Sequence, residues 1–285
     1  MPKVGAISDL AEVWVVSRGR WEHSDTLEET QALPYGKVFL AVHSEEREQY
    51  KPLAHKHNCE LVDMEYSTIS EKRQLIAEQA GPKFIMLDDD LRFYRRKVEG
   101  QFNLRYIKPE EMLVLIRRIT NHLDTFAHVG VSAREGNNRL ETPAVFNTRY
   151  MRVLAYRREE YLACEHGRIN YMEDFDVALQ LLRRGHQSLV ISDWAQGQKG
   201  TQAPGGCALH RTNERHEEAV RNLEELHRGY VKLRQKNNKT GGEFGSRLEA
   251  TIYWQKAYQS SQQKPIGKPG SDVGACKSSK TVRFS

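Results

Sequence analysis

Residues 83–90, Lys-Phe-Ile-Met-Leu-Asp-Asp-Asp, constrain the fold more than any other stretch. Four apolar residues, Phe84 to Leu87, are bounded by Gly81-Pro82 on one side and by Asp88, Asp89 and Asp90 on the other. A short apolar run between breakers and charges has the pattern of a strand buried on both faces. Carboxylates at the C-terminal end of such a strand sit where open α/β sheets hold their ligands. Three adjacent like charges repel, and a divalent cation with hard oxygen ligands would compensate them. The plainer alternative is a solvated acidic turn that caps the next segment.

The flanking sequence predicts the rest of the sheet. Val13–Val16, Val38–Val42 and Leu61-Val62 read as strands. They alternate with helical stretches at Thr26–Leu33, Ser44 to about His57, and Ser70–Ala80, the last with Ser70 as N-cap and Gly81-Pro82 as its stop. Strands alternating with helices predict a parallel sheet wrapped by helices. Neither a Gly-x-Gly-x-x-Gly nor a P-loop motif occurs, so a dinucleotide fold or a P-loop fold is unsupported.

The second half reads differently. A long amphipathic helix opens at Lys108-Pro109 and runs to about Phe126. Strands are expected at His128–Ser132, Ala144–Thr148, Met151–Tyr156 and Ser188–Ser192, with a helix Val177–Arg184 ended by Gly185. A Gly-rich loop, Trp194–Cys207, and a charged helix from Asn213 to about Asn237 follow. The expected organisation is one domain over 1–258, with a nucleotide-binding half of about 1–100 and an acceptor half of about 101–258. Residues 259–285, rich in Ser, Gly, Lys and Pro, read as a disordered basic tail.

A hydrophobic content of 39% supports a core, and no run approaches the ~20 apolar residues of a membrane span. The N-terminus lacks the apolar segment of a signal peptide. Cys59, Cys164, Cys207 and Cys276 form no Cys-x-x-Cys pair, which suits reduced thiols in the cytoplasm and speaks against a zinc site. A net charge of +5 is compatible with a polyanionic partner, nucleic acid or nucleotide.

Four constellations offer chemistry. Asp88-Asp89-Asp90 presents oxygen ligands that leave coordination sites for substrate oxygens. Arg73, on the helix before that strand, is either a nucleotide contact or a surface cation. Glu173-Asp174, at a helix start, is either a dipole-favoured acidic turn or a general base for a hydroxyl nucleophile. The Gly-rich loop leads to His210, a candidate metal ligand, while Lys199 and Arg211 could neutralise a leaving diphosphate; a solvent loop is the alternative.

Taken in this order, the motifs resemble a glycosyltransferase of the GT-A fold. That resemblance spans about residues 12–212. More narrowly, Val16-Ser17-Arg18-Gly19-Arg20, Asp88-Asp89-Asp90-Leu91-Arg92-Phe93 and Gly205-Gly206…His210-Arg211-Thr212 resemble the phage TET-associated glycosyltransferases. The resemblance implies a mixed central sheet and a metal site for Mn²⁺ or Mg²⁺ built from Asp88, Asp90 and His210, with Asp89 on ribose or metal. It implies nucleotide contacts from Ser17, Arg18, Arg20 and Arg73, and Asp174, or failing that Glu173, as the base of an inverting displacement. The implied partners are a nucleotide sugar, UDP-linked, and double-stranded DNA with hydroxymethylated pyrimidines, in the cytoplasm of an infected host and with no membrane. A DNA acceptor would draw phosphate contacts from Arg92, Arg95, Arg96, Lys97, Arg149, Arg152, Arg157 and Arg158, and its target base would be flipped out. The alternatives are a saccharide or protein acceptor, a metal-dependent phosphodiesterase or nucleotidyltransferase, and a DNA-binding module with a merely structural Asp triplet.

Overall fold

A computed structural model describes residues 9–97, 102–135, 139–198, 213–236 and 247–263. The first four strands are β1 (Glu12–Val16), β2 (Val38–His43), β3 (Glu60–Met64) and β4 (Lys83–Asp88). They pair in parallel in the order β3-β2-β1-β4. Between them run α1 (Asp25–Thr30), α2 (Arg47–Lys56) and α3 (Ile69–Gln79). The chain therefore moves outward from β1 to β3, then crosses back to lay β4 on the other side of β1. That reversal opens a crevice beyond the C-terminal ends of β1 and β4, where open α/β sheets place ligands. Val16 pairs with Asp88 across it.

The sheet continues with strands of both directions. β9 (Val153–Arg157) runs antiparallel to β4, β7 (His128–Ala133) antiparallel to β9, β10 (Ser188–Gln198) parallel to β7, β5 (Leu91–Arg96) antiparallel to β10, and the edge strand β6 (Leu104–Tyr106) antiparallel to β5. With β8 (Ala144–Phe146) on β10, the sheet is mixed and ten-stranded. Strand alternation divides the core. Val13, Val15, Ile85 and Leu87 face one side, with Leu27 of α1, Tyr50 of α2 and Met112 of α4 (Pro109–His122). Trp14, Phe84 and Met86 face the other, with Ile76 of α3, Tyr161 of α5 (Arg158–Leu162) and Val177 of α6 (Glu173–Arg183). Burial on both faces explains why these strands read as unbroken apolar runs.

Several boundaries differ from expectation. Thr68, not Ser70, caps α3: its hydroxyl accepts the Glu71 N–H at 3.2 Å. Ser70 is buried instead and accepts the Gly167 N–H at 2.9 Å. The helix expected over 44–57 starts as a 3-10 turn, Ser44–Glu46. β10 runs on to Gln198, through a register shift between Ile191 and Ala195, where a loop was expected from Trp194. β5 went unanticipated because its arginines mask the inward Leu91 and Phe93.

The helix expected to reach Asn237 stops at Leu226, giving α7 (Asn213–Leu226). An antiparallel hairpin follows, β11 (Val231–Lys236) with β12 (Arg247–Ile252), then α8 (Trp254–Gln262), which crosses the expected 258/259 boundary. Phe175, Leu179 and Leu182 of α6 pack with Leu223, Val231 and Ala257 in a third cluster that joins this unit to α6. Cys59 and Cys164 are buried free thiols. No described helix is long and apolar enough to cross a membrane. The expected tail from 264 onward lies outside the described residues.

Candidate active site

The triplet does not act as one cluster. Leu87 faces the α1/α2 side, so Asp88, the last residue of β4, faces α3 and α6, and the turn that follows brings Asp89 to Ser17 on the α1/α2 side. Asp89 is 5% exposed. Its carboxylate accepts the Ser17 hydroxyl and, at 2.6 Å, the Arg20 guanidinium. The same Arg20 nitrogen reaches Asp90 at 2.9 Å, and Gln198 on β10 donates to Asp90 at 2.7 Å. Helix α1 secures the backbone: Ser24 Oγ donates to the Asp89 carbonyl at 2.7 Å and Thr26 Oγ1 to the Asp88 carbonyl at 2.6 Å.

The loop after β1 is equally fixed. Ser17 Oγ and the Tyr50 hydroxyl lie 2.7 Å apart, and the Tyr50 hydroxyl accepts the Arg20 N–H at 3.0 Å. Lys72 Nζ donates to the Ser17 carbonyl at 2.7 Å. Ser17 and Asp89, both expected to contact the nucleotide, are thus bonded to each other in the buried base of this loop. Arg18 is more exposed and lies over the Tyr66 ring, 5.3 Å from its centroid.

Arg73, expected as a nucleotide contact or a surface cation, lies between the two acidic groups. It is buried, and its Nη1 donates to Glu173 at the start of α6, while Nη2 stays 3.7 Å from Asp88. The guanidinium thus links the acidic end of β4 to the acidic start of α6. Asp88 keeps 33% of its side chain exposed, and at 3.7 Å the Arg73 contact is too long for a hydrogen bond, so its oxygens retain acceptor capacity. Burial pushes Asp88 up to about 6, against the pull of Arg73. Burial also raises Glu173 and Asp174, with Arg73 opposing in both cases. Asp174 accepts the Phe175 N–H at 3.0 Å and lines a tight pocket with Arg73, Tyr156, Tyr161 and Glu173. Two non-glycine residues in left-handed backbone flank the acids: Arg152 (φ 65°), whose carbonyl accepts the Asp88 N–H at 3.1 Å, and Met172 (φ 63°), the N-cap of α6.

Five carboxylates, Asp88, Asp89, Asp90, Glu173 and Asp174, thus meet the bonded guanidiniums of Arg20 and Arg73, with Arg152 and Arg149 also pulling on Asp88 and Asp174. The hard oxygen donors of Asp88 and Asp90 fit a divalent cation. Lys199, His210 and Arg211 lie outside the described residues. The one compact His/acid group among the described residues lies elsewhere, at His23, Asp25 and Glu28. There Arg92 already bonds Asp25 and, at 3.1 Å, Glu28.

The expected phosphate-contacting arginines are largely committed inward. Arg92 serves α1, Arg96 is buried against the Leu140 and Glu141 carbonyls, and Arg158 donates to the Ala80 carbonyl at 2.8 Å. The sequence reading missed Tyr50, Thr26 and Gln198. Ser24-Asp25-Thr26, a helix-capping pattern, was the available signal for the α1 contacts. Nothing local marks Gln198.

The fold is mixed α/β, and its sheet reversal at β1 and β4 gathers carboxylates at the strand ends. The chain belongs to the TET-associated glycosyltransferase family, whose model matches residues 11–206, and is thus a glycosyltransferase. It is 23% identical over 201 residues to the Beta-glucosyl-HMC-alpha-glucosyl-transferase of Enterobacteria phage T2, covering 65% of this chain and 69% of the relative. It is 25% identical over 177 residues to the like-named protein of Enterobacteria phage T6, covering 57% and 61%. Among solved structures, GalNAc-T7 with UDP, GalNAc and Mn²⁺ aligns at a TM-score of 0.46 and 12% identity, covering 75% of this chain and 48% of that one. The inositol-1-phosphate CTP transferase from T. maritima aligns at 0.43 and 10%, covering 78% and 98%. Both are distant likenesses.

Proposed function

We propose that the protein transfers a sugar from a nucleotide-sugar donor to hydroxymethylated pyrimidines in phage DNA. One observation carries the chemical part: Arg73 brings the acids at the end of β4 and the acids at the start of α6 to one guanidinium. Donor-side and acceptor-side groups of a displacement need that proximity. Family membership and the T2 and T6 relatives, whose names give beta-glucosyl-HMC, support a hydroxymethylated base, bare or already glucosylated, as the acceptor.

In this reading Arg18 and Arg20 face the donor nucleotide, while Ser17, Asp89 and Tyr50 hold that loop in place. Asp88 and Asp90 would hold Mn²⁺ or Mg²⁺, and His210 would complete the set. When bound, the cation supplies positive charge beside the donor diphosphate. Lys199 and Arg211 would add to that charge. Asp174 takes the proton of the acceptor hydroxyl, whose oxygen forms the bond to the anomeric carbon. The bond from that carbon to the diphosphate oxygen breaks, and the nucleoside diphosphate leaves. Burial strengthens Asp174 as a base by raising its proton affinity. Glu173, bonded to Arg73, orients the start of α6.

The test is incubation with a panel of nucleotide sugars, UDP-linked ones first, Mn²⁺, and plain or hydroxymethylated duplex DNA, followed by nucleoside mass spectrometry. A hexose-sized mass gain on the hydroxymethylated nucleoside alone is expected. No gain on any modified nucleoside would sink the proposal.

A further inference from the structure

The hairpin β11–β12 lies outside the family-matched region, residues 11–206, and no role above uses it. Its two faces differ sharply. The register pairs Val231 with Ile252, Leu233 with Ala250 and Gln235 with Leu248. Val231, Ala250 and Ile252 belong to the third cluster, Leu248 is buried, and both strands pack against α7, so this face is turned inward. The opposite face carries Lys232 across from Thr251, Arg234 across from Glu249 and Lys236 across from Arg247. Lys232, Arg234 and Lys236 are exposed. The single acid on this face, Glu249, is taken by Arg247 and, at 3.5 Å, by Lys236. Among the described residues, Lys232 and Arg234 have no acidic partner.

An antiparallel ribbon with an apolar inner face needs a wet outer face, but not one of a single sign. Like charges along one strand repel unless a polyanion meets them. Residues two apart on a strand stand ~7 Å apart, a spacing on which successive backbone phosphates can be met one by one. β-Ribbons are established DNA-contacting elements.

We propose that the outer face of this hairpin, through Lys232, Arg234 and Lys236, grips the phosphate backbone of the duplex DNA acceptor. The proposal rests on the acceptor reading above and adds to it a place of contact. The hairpin packs on α7 and shares the third apolar cluster with α6, the helix that opens with Glu173 and Asp174, so its outer face belongs to the same C-terminal unit. Phosphate contacts position the acceptor without reading its sequence.

The experiment is fluorescence-anisotropy titration of a labelled, hydroxymethylcytosine-containing duplex over a series of salt concentrations. The full-length protein is compared with Lys232→Ala/Arg234→Ala. Both residues are exposed, so the thermal midpoint is expected to stay within a degree or two of wild type. The expected result is about tenfold weaker binding at low salt and a slope of log affinity against log salt shallower by about two. In the wild-type protein, the duplex is also expected to shield Lys232 from acetylation, read by peptide mass spectrometry. An unchanged slope, or a Lys232 acetylated equally with and without DNA, overturns the proposal. Sugar transfer to the same duplex is scored separately in the wild type. Transfer with an unchanged slope defeats the hairpin proposal alone, whereas absence of transfer defeats the acceptor reading.

Discussion

At the scale of the residue, Arg73 decides most. It is a buried cation facing Glu173 and Asp88, and its Nε has no hydrogen-bond partner. Arg73→Met removes the charge but leaves the carboxylates buried. Breaking a buried pair from one side costs about 3–5 kcal/mol, so urea denaturation should show a loss of that order. Arg73→Lys should recover part of it, since lysine restores charge without the two-pronged geometry. His128 gives a second test. It is fully buried, accepts the Tyr150 hydroxyl proton at Nδ1 (2.6 Å) and donates from Nε2 to the His186 carbonyl (3.0 Å). Burial lowers it from its ordinary 6.5 to about 4. Between those values the unfolded chain binds a proton that the folded chain refuses. His128 therefore contributes stability in full above about pH 6.5, and that contribution is lost as pH falls toward 4. The loss is about 3 kcal/mol at most. Chemical denaturation from pH 7 to 4 should show it, and His128→Gln should flatten that part of the curve.

At the scale of the element, β7 and its neighbours depend on a close approach. A Cβ on Gly130 would stand 2.4 Å from Tyr150 Cβ, and the Tyr150 hydroxyl is already tied to His128. Gly130→Ala should therefore lower stability by about 1–3 kcal/mol, as overpacking does, with a lower thermal midpoint as the readout. Strand β4 carries the other element-level lesson. Its apolar run and acidic end were legible because a strand buried on both faces is apolar throughout. The direction of Asp88 was also implicit, since the period of two turns it away from Leu87, whereas Asp89 lies beyond the strand in a turn. What each then meets, Arg73 on one side and Ser17 with Arg20 on the other, comes from residues 15 to 72 positions away in the chain. No local pattern marks such partners. β5 and the hairpin were missed for the opposite reason: their interleaved charges, half-buried or buried on β5 and exposed on β11, conceal a short inward apolar set.

At the scale of the whole molecule, the C-terminal unit completes α6. Beside the shared apolar cluster, buried His227 donates from Nε2 to Asp176 on α6 at 2.7 Å and accepts Arg183 at Nδ1 at 3.1 Å. A chain ended at residue 206 would expose Phe175, Leu179 and Leu182 and leave Asp176 without His227. It should aggregate or melt well below the full chain, measured by size-exclusion chromatography and thermal melting. The carboxylates in the crevice give a second test at this scale. Chelation by EDTA should abolish sugar transfer, and added Mn²⁺ or Mg²⁺ should restore it.

The sequence by itself determined the parallel β/α half, the buried strand ending in Asp88, Asp89 and Asp90, and the acidic start of α6, because periodicity and breakers are local signals. Only the tertiary structure decided that Arg20 and Arg73 share those acids, that β9 and β10 close the sheet beside them, and that α8 covers α6 while a basic hairpin packs on α7. Those facts depend on long-range pairing, in which the partner of a buried charge is chosen by the fold and not by its neighbours in the chain.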